Sequence, residues 1–157
     1  MHPNETLIRD FYAAFSQGDA QAMADSYEPG ARFSDPVFTD LDGAGAGAMW
    51  RMLVEGSDDL RVEASGFEAD DQRGKARWEA WYSFGPGKRP VHNIIEASFE
   101  FADGKIAVHE DRFDFWRWSR QALGLPGLLL GWSPLLKNQV RKQAARSLAK
   151  WREKNGA

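Results

Sequence analysis

A chain of 157 residues, 43% hydrophobic and 27% charged, is one globular domain's worth of protein with a core of ordinary size. It has no cysteine, which excludes a disulfide scaffold, a thiolate metal site and a cysteine nucleophile together. The net charge of −3 is uninformative as a total, because residues 1–116 sum to −11 and residues 117–157 to +8. The opening MHPNETLIRDF has no basic segment leading into an apolar one, so no secretory signal is expected. No apolar run approaches the ~20 residues of a membrane span, and a cytoplasmic location is the expectation.

Leu7, Ile8, Phe11, Tyr12 and Phe15 share one face only if residues 5–17 are helical. Gly18 stops that helix, and Asp19 can N-cap a second, short one running to about Tyr27. After the Pro29-Gly30 turn, residues 31–38 alternate, with Phe33 and Asp35 on one side, and Pro36 interrupts them. Residues 43–56 form a third helix. Gly45 and Gly47 weaken its first half, while Met49, Trp50, Met52 and Leu53 supply an apolar stripe. From Asp58 onward the period changes to two. Strands are predicted at 60–69, 75–84, 90–101 and 105–115, joined by turn segments at 70–74, 85–87 and 102–104. Trp116 to Leu123 can be helical, residues 124–127 break it, and Leu128 to Trp132 is a short apolar knot. Ser133 can cap a final helix with Pro134 at its first position, striped by Leu136, Val140, Ala144, Leu148 and Trp151. Three helices followed by a strongly bent antiparallel sheet, with a helical extension, is an α+β arrangement. The division expected is a main domain at 1–116 and a basic helical extension at 117–157.

Several pieces come in a telling order: Phe15-Ser-Gln-Gly-Asp19, then Tyr27-Glu-Pro, then Phe33-Ser-Asp-Pro36. A Gly-Ala-rich helix start follows, and late in the chain an Asp103-Gly-Lys-Ile106 hairpin runs into His109-Glu-Asp111. Together, over residues 4–116, they resemble the SnoaL-like branch of the nuclear transport factor 2-like superfamily. The resemblance implies a cone-shaped fold, its curved sheet wrapping the helices around one deep apolar pocket. It also implies a homodimer paired through exposed sheet faces. That superfamily includes ketosteroid isomerases, polyketide cyclases, epoxide hydrolases and many proteins with no assigned reaction, so the fold alone does not define a function.

Asp35 stands where the resemblance places the ketosteroid isomerase base. A carboxylate at a pocket mouth beside Phe33 and Phe38 would have a raised pKa suited to proton shuttling. Asp-Pro is also common turn chemistry, and a loop cap is the competing reading. His109 and Asp111, two apart on a strand, share a face with Phe113 and Phe115, while Glu110, Arg112 and Asp114 face the other way. Asp111 could then orient the His109 tautomer and leave its other nitrogen for acid/base work; a paired core histidine is the alternative. By the same parity Asn93 goes inward with Ile95, Ala97 and Phe99, and Glu96 goes outward unless a bulge intervenes. Tyr12, Phe15, Phe33, Trp50, Asn93 and Phe113 are the expected ligand contacts. Trp50, Trp78 and Trp81 are expected in the core and pocket walls. The isomerase tyrosine aligns with Phe11, which argues against steroid isomerisation by that route. An epoxide hydrolase triad would have Asp35 and Asp111 but no inward Arg.

The three histidines do not have zinc spacing, and residues 43–47 are neither a Walker nor a dinucleotide loop, so no cofactor is expected. The extension holds nine Lys/Arg against one Glu. It can pack on its own acidic domain or a partner subunit and close the pocket. It can also lie on an anionic membrane surface through residues 123–154. Nucleic acid ranks last, because the acidic remainder would repel phosphate. The function expected is binding of a hydrophobic small molecule in the deep pocket. Cofactor-free isomerisation, cyclisation or hydrolysis would use Asp35 as base with His109 and Asp111 as acid/base partner and orienter. A non-catalytic ligand-binding or interaction module is the alternative.

Overall fold

A computed structural model describes residues 1–156. The first helix, α1 (Pro3–Ser16), carries Ile8, Phe11, Tyr12 and Phe15 inward, as their spacing requires. In α2 (Ala20–Asp25) the Asp19 carboxylate accepts the Ala22 N–H at 3.0 Å, the expected cap. Strand β1 (Tyr27–Ser34) and the two-residue β2 (Leu41–Asp42) precede α3 (Gly43–Glu55). The glycines at the start of α3 are there for packing. A Cβ on Gly43 would lie 2.9 Å from the Glu28 carbonyl, and one on Gly47 would lie 2.9 Å from the Ala24 Cβ. The small residues let α3 approach β1 and α2 at backbone distance.

Strands β3 (Arg61–Ala69), β4 (Arg73–Phe84), β5 (Arg89–Ala102) and β6 (Lys105–Arg112) form an antiparallel meander. Asp103 and Gly104, both at positive φ, make the two-residue turn that pairs Ala102 with Lys105. The six-stranded sheet has the order β2-β1-β6-β5-β4-β3 and remains open, a curved, cone-like wrap. It is mixed, not wholly antiparallel, since β1 runs parallel to β6. Only strands joined by a hairpin are obliged to be antiparallel, and β1 is separated from β6 by the rest of the sheet. The main core lies between sheet and helices: Phe11, Phe15 and Trp50 from the helices meet Phe33, Trp78, Ile95 and Phe99 from the strands.

The last strand departs from expectation. It ends at Arg112, and Asp114 N-caps α4 (Phe115–Leu123) by accepting the Arg117 N–H at 3.1 Å. Phe115 therefore lies on a helix, in a second cluster with Val91, Trp118 and Ala122. Gly124, at φ 70° and ψ −132°, turns the chain as only glycine does readily. Leu125–Leu130 then forms a single helical element, α5, where a break and a knot were expected. The Ser133 hydroxyl accepts the Leu135 N–H and opens α6 (Pro134–Asn155) with Pro134 at its start. Leu148 of α6 is buried in the main core, with Ala144 and Trp151 packed beside it. The Arg141 Nε donates to the Pro36 carbonyl at 2.9 Å. The basic helix thus lies on the acidic cone of its own chain.

Candidate functional site

A cavity of about 380 Å³ opens between the sheet, α3 and the C-terminal helices. That is room for a small molecule. Its deep wall is aromatic and aliphatic, with Phe15, Trp50, Trp78, Ala80 and Ile95. Tyr82, Phe84, Phe113 and Trp118 extend the wall toward α4, and Val140, Gln143, Ala144 and Ser147 of α6 close it from above. Leu53, Gln143 and Ser147 are exposed lining residues, so the mouth lies between the end of α3 and the face of α6. A smaller cleft of about 260 Å³ between the 37–41 loop and α6 has no carboxylate on its wall.

Two carboxylates interrupt this apolar lining, Asp35 and Asp111. Asp35 follows β1, and one oxygen, Oδ1, accepts both the Val37 N–H at 2.7 Å and the Phe38 N–H at 2.6 Å. The turn and the pocket are therefore not alternatives: the same side chain closes the loop and faces the cavity. Its pKa is raised to about 7, chiefly because burial disfavours the charged form. The two backbone N–H groups pull the other way. The charge of Asp111 adds to the rise, and Arg141 opposes it.

Asp111 is held from behind. His109 Nε2 lies 2.9 Å from Asp111 Oδ1, and His109 Nδ1 lies 2.8 Å from the Tyr27 hydroxyl. That hydroxyl accepts the Trp50 Nε1–H at 2.9 Å, so its own hydrogen is available to Nδ1. With a neutral imidazole and an ionised Asp111 the chain closes one way: Trp50 to Tyr27, Tyr27 to Nδ1, and Nε2–H to Asp111. Trp78 Nε1 adds a long contact of 3.4 Å to the same carboxylate oxygen. The other oxygen, Oδ2, is buried with no hydrogen-bond partner, on a residue that lines the cavity. An unsatisfied buried carboxylate oxygen is costly enough to ask what it binds.

Of the expected site residues, Asp35, Asp111, Phe15, Trp50, Asn93 and Phe113 are brought to the cavity wall. His109, Tyr12 and Phe33 are buried behind that wall. The His109 ring is enclosed edge-on by Phe11 and Phe33 and tilted against Phe99, and Tyr27 and Asp111 occupy its two nitrogens. Tyr12 is packed against Trp78, Phe67 and Phe99, and its hydroxyl has no partner. Burial, reinforced by the charge of Asp111, pushes its pKa well up. Glu96 is on the outer face opposite Arg77, with no bulge to turn it inward. Trp81, expected in a wall, is also outside: it stacks on His92 at 4.6 Å while Arg61 covers it. No set of three His, Asp or Glu side chains able to hold a metal occurs among the described residues.

Tyr82 and Trp118 were not anticipated. Tyr82 continues the inward run Ala76, Trp78, Ala80 on β4, so its parity carried the signal. Its hydroxyl accepts the Trp118 Nε1–H at 2.8 Å, and burial pushes its pKa up to about 12. The α6 lining residues had no local signal, because a helix stripe does not say what it covers.

Residues 8–109 match the model of the SnoaL-like domain, and the chain belongs to that family. No curated protein sequence matches it. Among solved structures, an NTF2-like protein of unknown function from Burkholderia pseudomallei K96243 superposes with a TM-score of 0.68 at 18% identity, covering 78% of this chain and 98% of that one. An LEH-like epoxide hydrolase of M. tuberculosis superposes at 0.62 with 18% identity, covering 82% and 96%. IdmH, a candidate polyketide cyclase from Streptomyces antibioticus, does so at 0.65 with 20% identity, covering 79% and 100%. At these identities the likeness is one of fold.

Proposed function

We propose that this chain binds a hydrophobic small molecule in the cavity and acts on it by cofactor-free general acid/base chemistry. The reaction class is isomerisation, cyclisation or hydrolysis. One observation carries the reading: a largely apolar cavity holds two carboxylates, one whose pKa burial raises to about 7 and the other with a buried oxygen that has no hydrogen-bond partner. A group that changes charge near neutral pH can accept a proton from a ligand and return it. Asp35 is the proposed base. Asp111 is the proposed second carboxylate, and His109 is its positioning residue, because His109 does not reach the cavity. The roles of His109 and Asp111 are thus exchanged relative to the expectation from spacing. Fold neighbours that include an epoxide hydrolase and a candidate cyclase support a catalytic reading of such a cavity. The same proposal includes a cytoplasmic location and the homodimer that the SnoaL-like resemblance implies.

The experiment is native mass spectrometry of the purified protein to identify a co-purified ligand, followed by turnover of that ligand by wild type and Asp35→Asn. Catalysis predicts a loss of about 100-fold or more in turnover with binding retained. Weakened binding with no turnover in either form would make the protein a carrier.

A further inference from the structure

We propose that residues 125–135 are a docking surface for an anionic lipid bilayer. Leu125, Leu128, Leu129, Leu130, Trp132 and Leu135 are each between 46% and 74% exposed. Outside these residues the large exposed apolar side chains are Met1, Leu53, Val108 and Trp116, the last of which adjoins the patch through its indole bond to the Leu128 carbonyl. Isolated exposures of that kind are ordinary, whereas six within eleven residues mark an interaction surface.

The patch cannot fold away. A Cβ on Gly127 would fall 1.9 Å from the Ser119 carbonyl oxygen, and one on Gly131 would fall 2.1 Å from the Ser119 hydroxyl. Helix α5 is seated against α4 as closely as backbone allows, so its leucines present outward. Two indoles cover carbonyls of the patch. The Trp132 indole N–H donates to the Leu129 carbonyl at 2.8 Å, and the Trp116 N–H donates to the Leu128 carbonyl at 3.1 Å.

Charge selects the occupant. No acidic side chain occurs between Asp114 and Glu153. The Arg120 guanidinium lies 4.3 Å over the ring of Trp116, whose indole N–H reaches the Leu128 carbonyl, and Lys137 follows Leu135 by two residues, so a cation stands near each end of the patch. Apolar side chains ringed by Lys and Arg are what binds the interface of an anionic bilayer. A second copy fits less well. Pairing patch to patch would bring two basic extensions together. No helix among the described residues is long and apolar enough to cross a membrane, so the contact is one of lying on the surface.

The surface adjoins the cavity. Leu123, two residues before the patch begins, lines the cavity with Trp118 and Val140. The docking surface stands whether Asp35 and Asp111 catalyse or only bind.

The test is co-sedimentation of the full chain with phosphatidylglycerol vesicles and, separately, with phosphatidylcholine vesicles. Binding to the first, weak binding to the second, and a loss of the first in about 1 M salt are expected. The variant Leu128→Ser/Leu129→Ser/Trp132→Ser changes only exposed side chains and is expected to bind at least about tenfold more weakly. Arg120→Glu/Lys137→Glu, which keeps the leucines, is expected to lose the preference for phosphatidylglycerol. No sedimentation with phosphatidylglycerol at low salt would overturn the proposal, as would equal binding by the leucine variant. A dimer seen by light scattering that the leucine variant dissolves would assign the patch to a second copy and overturn it too.

Discussion

The Asp35 carboxyl is neutral in the folded chain up to about pH 7, while in the unfolded chain it ionises near 3.8. Between those values the folded state binds more protons, so stability falls as pH rises through the window. The side chain is only half-buried by exposed area, and water access reduces the full effect. Denaturant titrations are expected to show a loss on the order of 2 kcal/mol from about pH 4 to about pH 7, absent in Asp35→Asn. An equal slope in both proteins would show that another group titrates. The sign for chemistry is opposite: the base form of Asp35 accumulates as pH rises through about 7, so turnover should rise there. Asp35 was legible as a candidate because the SnoaL-like resemblance places a base there, while the Asp-Pro pattern by itself pointed only to a loop cap. That the loop-capping side chain lines a cavity shared with Val140 and Ala144 was not, since those residues come from a helix more than a hundred residues away.

Helix and strand register were the most legible features. On β5 the buried residues are Val91, Asn93, Ile95, Ala97 and Phe99, the alternation read from the residues themselves. It correctly turned Asn93 in and Glu96 out. The end of β6 misled because Phe113 and Phe115 fit either a continued strand or a strand end and a helix start. Capping decided it: the Asp114 carboxylate satisfies a free helix N–H, which an outward strand position could not do. The α4–α5 junction has its own consequence. Gly127→Ala forces a methyl against the Ser119 carbonyl, and overpacking of this kind costs about 1–3 kcal/mol. Hydrogen exchange should accelerate across residues 125–132 while the exchange of β4 and β5 stays unchanged. Acceleration spread evenly over the sheet would mean that α5 is not a separate packing unit.

Across the whole molecule, the −11 cone and the +8 extension are brought together by one long helix. Docking in cis makes Leu148 a core residue, although it stands in an extension that is mostly basic surface. Leu148→Ala is expected to cost about 2–4 kcal/mol and to lower the thermal midpoint by several degrees. An unchanged midpoint would mean that α6 contributes nothing to the fold of its own chain in solution. Period, turn chemistry and capping are local, and they were enough for the α+β class, the order of elements and most of the inward faces. The parallel β1–β6 pair, the burial of His109 behind Asp111, and the roof of the cavity depend on contacts between residues far apart in sequence. Side-chain spacing says which face a residue takes. Only packing in three dimensions says what that face meets, and here it meets a cavity on one side and a ring of aromatic side chains on the other.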